Sequence, residues 1–112
     1  MLLTSAGPAE AHGGRTPDSR SARPTIVAII GDTPYGDAQL AGFPDLVHAI
    51  NDAPKVDRVV HVGDIKNGSS LCSDSYFSTI AGHFAGFADP LVYTPGDNEW
   101  TDCHRAKQRC LA

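Results

Sequence analysis

Three aspartates follow three separate apolar runs, and this recurrence constrains the fold of the chain more than any other feature. The runs occupy residues 25–30, 57–62 and 91–93. A Gly-Asp pair follows each run, and its aspartate is Asp32, Asp64 or Asp97. Glycine lets the backbone turn sharply without a Cβ clash. The pattern predicts three strands, each followed by a loop that carries a carboxylate.

The segments between the runs predict two helices. One apolar stripe with helical spacing surrounds Pro44, which is favoured at the first position of a helix. A second stripe lies within residues 77–87, after the candidate N-caps Ser73 and Asp74. The β-α-β-α-β order indicates an α/β fold with a parallel sheet and right-handed crossovers. The unbroken apolar character of residues 25–30 also predicts a strand that is covered on both faces.

The three aspartates should meet at one place, because parallel strands end at the same edge of a sheet. Carboxylates that converge repel each other, and such an arrangement usually surrounds cations with oxygen ligands. The sequence therefore predicts divalent metal binding by Asp32, Asp64 and Asp97. The alternative for each aspartate is a structural loop or helix cap. A flavodoxin-like α/β module would have the same strands but would bind no metal.

Charge and length exclude several classes of protein. The chain has 112 residues, a net charge of −4 and a pI of about 5.6, so it lacks the basic surface of a nucleic-acid or anionic-membrane binder. No apolar run approaches the roughly 20 residues that span a bilayer. A small parallel sheet also leaves an edge open for association with another strand.

Residues 1–24 contain few large apolar side chains and are expected to form a disordered extension or the remnant of an export signal. Residues 25–112 then form the folded part, which we expect to be a truncated domain. An export signal implies a secreted or periplasmic protein, whereas a native N-terminus at Met1 implies a cytoplasmic one.

The chain has three cysteines, Cys72, Cys103 and Cys110. Cys72 follows the second acidic loop and Cys103 follows the third, so a disulfide between them is compatible with the predicted sheet edge. Free thiols are the alternative. The disulfide would leave Cys110 unpaired and would fit an oxidising compartment.

The ordered acidic motifs resemble the calcineurin-like metallophosphoesterase family over about residues 25–104. That family carries Asp-x-His, then Gly-Asp, then Gly-Asn-His-Asp/Glu. Asp32 matches the first motif, Asp64 matches the aspartate that bridges two metals in the family, and residues 96–99 match the third motif. The resemblance implies the N-terminal half of a four-layer sandwich. It also implies hydrolysis of phosphoric esters by a metal-activated water, with Mn, Fe, Zn or Mg as the metals.

The chain departs from the family pattern at several positions. The first-motif histidine falls on Pro34, and Tyr35 beside it is a candidate oxygen ligand or substrate contact. The third-motif asparagine and histidine fall on Asp97 and Asn98. Asn98 is expected to contact phosphate, and His104 is expected to donate a proton. Because the later histidine motifs have no counterpart in the sequence, we expect poor activity. The alternative is a non-catalytic α/β fragment or metal-binding module.

Overall fold

A computed structural model describes residues 23–107. The elements are β1 (Val27–Ile30), α1 (Gly36–Asn51), β2 (Arg58–His61), α2 (Asp74–Phe84), β3 (Leu91–Tyr93) and a 3-10 helix (Asp102–His104). The strands lie in the order β1-β2-β3, and both pairings are parallel. The predicted α/β fold, a partial βαβαβ parallel sheet, is confirmed. The predictions for residues 1–22 and for Cys110 lie outside the described residues.

Helix α1 begins earlier than its apolar stripe suggested. It starts at Gly36, so the expectation that Pro44 opens the helix is wrong. Pro44 lies inside α1, where its ring nitrogen has no hydrogen to donate to the preceding turn. The start is fixed instead by Gln39, whose side-chain oxygen accepts a hydrogen bond from the backbone N–H of Tyr35 at 2.7 Å. Because the first turn of α1 contains no large apolar side chain, the spacing of apolar residues did not reveal this start.

Helix α2 begins as the sequence predicted. Of the two candidate caps, Ser73 is the N-cap, and its hydroxyl accepts a hydrogen bond from the backbone N–H of Tyr76 at 3.2 Å. Asp74 lies in the first turn, where a negative charge is favourable next to the helix N-terminus.

The two helices pack on each other and on one face of the sheet. The buried apolar core consists of Phe43, Val47, Val59, Ile65 and Ile80. The aromatic ring of Phe84 extends this core and lies 6.1 Å from the ring of Phe43 between centroids. This core joins the helices to β2, the central strand.

The opposite face of the sheet is open. Ile29 is 69% exposed and Val92 is 43% exposed, and both pair with Val60 across the sheet. The expectation that residues 25–30 are covered on both faces is therefore wrong, because α1 and α2 lie on the same side. Among residues 23–107, no helix is both long and apolar enough to cross a bilayer.

Candidate metal centre

The loops that follow the three strands contact one another closely. We call residues 31–35 loop 1, residues 62–73 loop 2 and residues 94–101 loop 3. The backbone N–H of Asp32 donates to the carbonyl oxygen of Gly63 at 3.1 Å, which joins loop 1 to loop 2. A Cβ atom on Gly63 would overlap the backbone nitrogen of Gly96. A Cβ atom on Gly96 would in turn overlap Oδ1 of Asp64. Only glycine permits this contact between loops 2 and 3.

Asp32 and Asp64 share an uncommon backbone conformation. Their φ angles are 54° and 56°, in the left-handed region that most side chains avoid. Aspartate tolerates this region better than branched or bulky residues do, at a cost of roughly 1–2 kcal/mol. Residues held in this way often cluster at functional sites.

Hydrogen bonds connect the Asp32 and Asp64 carboxylates through two other residues, Tyr35 and Asn98. The hydroxyl of Tyr35 donates to Oδ1 of Asp32 at 3.1 Å. The side-chain amide of Asn98 donates to the Tyr35 hydroxyl at 3.2 Å, and its backbone N–H donates to Oδ1 of Asp64 at 3.1 Å. The three loops therefore meet in a continuous chain of hydrogen bonds.

The phenol of Tyr35 remains protonated at neutral pH. Burial is the largest cause that raises its pKa, to about 12, followed by the hydrogen bond to Asp32 and the negative charge of Asp64. A protonated phenol is able to donate to Asp32 while it accepts from Asn98.

Asp97 and His104 lie apart from this chain of hydrogen bonds. Asp97 is exposed, and it is its backbone carbonyl that accepts hydrogen bonds, from the N–H of Asp102 at 2.9 Å and from the hydroxyl of Thr101 at 3.2 Å. Within residues 23–107, no three His, Cys, Asp or Glu side chains form a group that could hold a metal ion. The expected group of three carboxylates is therefore absent from the described residues, and it is the backbone N–H of Asn98 that contacts Asp64.

His104 is exposed in the 3-10 helix. The structure thus brings together Asp32, Asp64 and Asn98, three of the five residues chosen from the sequence, whereas Asp97 and His104 are exposed outside this group. Their ligand and proton-donor roles stay predictions.

Glu99 joins loops 2 and 3 through hydrogen bonds, a role that no sequence pattern predicted. Its Oε1 accepts hydrogen bonds from the backbone N–H of Asp64 at 3.0 Å and of Gly96 at 2.6 Å. The hydroxyl of Tyr93 donates to the same atom at 2.7 Å. Oε2 accepts from the N–H of Ile65 at 3.3 Å. Burial and the bond to Glu99 raise the pKa of Tyr93, so that phenol also remains a donor.

A disulfide joins loop 2 to the segment after loop 3. Cys72 and Cys103 are bonded, with a Cα–Cα distance of 5.7 Å. Of the two alternatives left by the sequence, the structure contains the disulfide. The Cys103 sulfur also lies 3.1 Å from the carbonyl oxygen of Glu99. The covalent link therefore holds the part of loop 3 that contains Asn98 and Glu99 against loop 2.

The side chain of His61, the last residue of β2, links loop 1 to loop 2 through hydrogen bonds. Its ring is fully buried, and Nδ1 accepts a hydrogen bond from the N–H of Gly63 at 3.1 Å. Nε2 lies 2.9 Å from the carbonyl oxygen of Thr33, so Nε2 carries the hydrogen and donates it. Burial lowers the pKa of His61, which favours this neutral form.

Lys66 is a buried cation within loop 2. Its side chain is only 1% exposed, and Nζ donates to the carbonyl oxygen of Asn67 at 3.0 Å. Burial lowers the pKa of Lys66, and the negative charges of Asp102 and Glu99 oppose that shift.

The donor atoms fit a hard divalent cation in part. The bonds from Tyr35 and Asn98 engage only Oδ1 of Asp32 and of Asp64. Carboxylate, phenol and amide oxygens are the donor types that hard cations accept. Residues 23–107 nevertheless supply too few such side chains for a complete two-metal centre.

Comparison with known protein families identifies the family of the chain. A family model described as calcineurin-like phosphoesterase matches residues 25–110. No curated protein and no solved structure shows a significant match to the chain. The matched region holds all three strands and both helices, together with Asp32, Asp64 and Asn98. The chain therefore belongs to the calcineurin-like phosphoesterase family.

Proposed function

We propose that the chain carries part of the active site of a metal-dependent phosphoric ester hydrolase, with Asp32 and Asp64 as metal ligands. The observation that carries the proposal is the hydrogen-bonded path from Asp32 to Asp64 at the carboxyl edge of the sheet. Family membership supports a phosphate ester as the substrate. A bound divalent cation supplies a nucleophile by acidifying a water molecule and offsets charge on phosphoryl oxygens.

The other residues of the edge have supporting roles in this proposal. Asp64 lies next to both loop 1 and loop 3, a position that suits a carboxylate that would be shared by two cations. Asp97 is an outer ligand at the exposed rim. Asn98 contacts a phosphoryl oxygen through its side-chain amide, which donates hydrogen bonds but does not transfer protons. His104 is the proposed proton donor, and its exposed position leaves it accessible to a leaving group.

A non-catalytic cation-binding module is the second candidate. One observation favours it: an amide occupies the position of the family's third-motif histidine, so that position holds no proton donor. Such a module binds a cation between Asp32 and Asp64 without turning over an ester.

Calorimetry and a turnover assay distinguish these candidates. Mn²⁺ binding is measured first, and hydrolysis of bis-p-nitrophenyl phosphate is then measured with Mn, Fe, Zn and Mg. The Asp64→Asn variant should lose binding and turnover, whereas Asp45→Asn, which changes an exposed carboxylate of α1, should keep both. Binding without turnover selects the non-catalytic module. The absence of binding in the wild-type chain refutes both.

We also propose that the protein is secreted or periplasmic. The Cys72–Cys103 disulfide supports this location, because such bonds persist in oxidising compartments. Labelling of thiols in intact cells tests it. Cys72 and Cys103 should resist a maleimide reagent until a reductant is added, and immediate labelling of both would place the protein in the cytoplasm.

A further inference from the structure

Tyr35 is the last residue of loop 1, its hydroxyl contacts both Asp32 and Asn98 of loop 3, and the family pattern does not explain it. We infer that Tyr35 is a positioning residue, whose hydroxyl orients Asp32 and Asn98 for cation binding. This inference rests on the proposed cation site. In this sequence, Pro34 and Asn98 stand at the positions of the family's two early histidines. The inference therefore assigns the orientation of the ligands to the hydroxyl of Tyr35.

The directions of the hydrogen bonds support this role. The Asn98 amide donates to the Tyr35 hydroxyl at 3.2 Å, and that hydroxyl donates onward to Asp32 at 3.1 Å. The phenol oxygen thus uses its single hydrogen on the carboxylate and a lone pair on the amide. A substitution by phenylalanine removes both bonds at once and leaves the ring in place.

The backbone around Tyr35 is held firmly. Tyr35 is the N-cap of α1, and its N–H donates to the side-chain oxygen of Gln39 at 2.7 Å. The hydroxyl of Thr33 lies 3.4 Å from the same Gln39 oxygen. The Tyr35 ring is therefore attached to the start of a helix, and a group that orients ligands needs such rigid support.

Asn98 extends the effect of Tyr35 to the second carboxylate. Its backbone N–H donates to Oδ1 of Asp64 at 3.1 Å, while its side chain is held by Tyr35. Loss of the Tyr35 hydroxyl therefore releases the Asp32 carboxylate directly and loosens the attachment of loop 3 beside Asp64. Groups that orient metal ligands typically change metal affinity about 10–100-fold when they are removed.

The first test measures Mn²⁺ affinity of the full chain by calorimetry. Tyr35→Phe should weaken binding about 10-fold while the chain stays folded, as shown by a cooperative urea unfolding transition. The matched control is Tyr76→Phe, which removes a hydroxyl that donates to the backbone carbonyl oxygens of Ile65 and Pro34 rather than to a carboxylate. Its affinity should stay within about twofold of the wild type. Equal affinity of Tyr35→Phe and Tyr76→Phe would overturn the inference.

A double variant separates orientation from general damage. Tyr35→Phe and Asn98→Ala break the same chain of hydrogen bonds, so together they should weaken Mn²⁺ binding little more than either does alone. Two independent structural effects would instead multiply to about 100-fold. A multiplied loss would therefore contradict the shared role.

A metal-free measurement keeps the test independent of the proposed function. In the wild-type chain, the side-chain amide hydrogens of Asn98 should exchange with water several-fold more slowly than in Tyr35→Phe, as followed by NMR. Equal exchange rates would refute the positioning role. Slower exchange in a wild-type chain that binds no Mn²⁺ would refute the proposed hydrolase while the Tyr35–Asn98 contact stands.

Discussion

Substitution of Glu99 by glutamine removes the negative charge that holds loops 2 and 3 together while it preserves the size of the side chain. The carboxylate accepts three short hydrogen bonds at Oε1, from Asp64, Gly96 and Tyr93. It accepts a longer one at Oε2, from Ile65. A glutamine keeps an oxygen for the first three donors but places an amide N–H₂ against the N–H of Ile65.

The expected cost follows from these four bonds. Hydrogen bonds to a charged group contribute about 1.5–3 kcal/mol and neutral ones about 0.5–1.5 kcal/mol, so each bond loses about 1 kcal/mol. The three short bonds give about 3 kcal/mol by this argument. Because Glu99 is only partly buried, solvent reduces the electrostatic part. We therefore expect the free energy of unfolding to fall by about 2 kcal/mol.

Thermal and urea unfolding, followed by circular dichroism, measure this change. In a domain of this size, a loss of about 2 kcal/mol lowers Tm by roughly 8–16 °C. The control is Asp45→Asn, an exposed carboxylate-to-amide change on α1 that should shift Tm by only a few degrees. A Glu99→Gln variant as stable as this control would show that the carboxylate does not hold the loops.

Two further predictions concern the supports of the same edge. Reduction of the Cys72–Cys103 disulfide, whose cysteines are 31 residues apart, should lower the free energy of unfolding by about 3–4 kcal/mol. Urea midpoints with and without reductant measure this, and equal midpoints would contradict it. The lowered pKa of His61 means that the unfolded chain binds a proton first. Stability should therefore fall as pH drops below about 6.5, and His61→Gln should reduce that slope.

The sequence predicted the features that depend on local pattern. The strands were visible as apolar runs that end in Gly-Asp, and the Ser73 cap of α2 was visible as a short polar side chain before a helical stripe. The start of α1 was not visible, since residues 36–39 are polar or small and Pro44 imitates a first position. The preference of proline for the first position of a helix favoured a start at Pro44. The helix nevertheless begins before Pro44, and the neighbouring Phe43 is buried in the core.

Features that depend on contact between distant loops escaped the sequence argument. Glu99 is three residues from Gly96 but 35 from Asp64, and only the folded sheet edge brings their N–H groups to one carboxylate. The contact of Asn98, rather than Asp97, with Asp64 was not predicted for the same reason. The backbone N–H of Asn98 donates to Oδ1 of Asp64, 34 residues away in the sequence, and no periodicity records such a contact.

The left-handed backbone at Asp32 and Asp64 affects how the results of mutagenesis at the carboxyl edge of the sheet should be interpreted. Alanine at either position would lose the carboxylate and would also resist the positive φ angle, so its effect would mix chemistry with misfolding. Asparagine tolerates that angle at least as well as aspartate does. An asparagine scan therefore isolates the missing charge, whereas an alanine scan would overstate the importance of both residues.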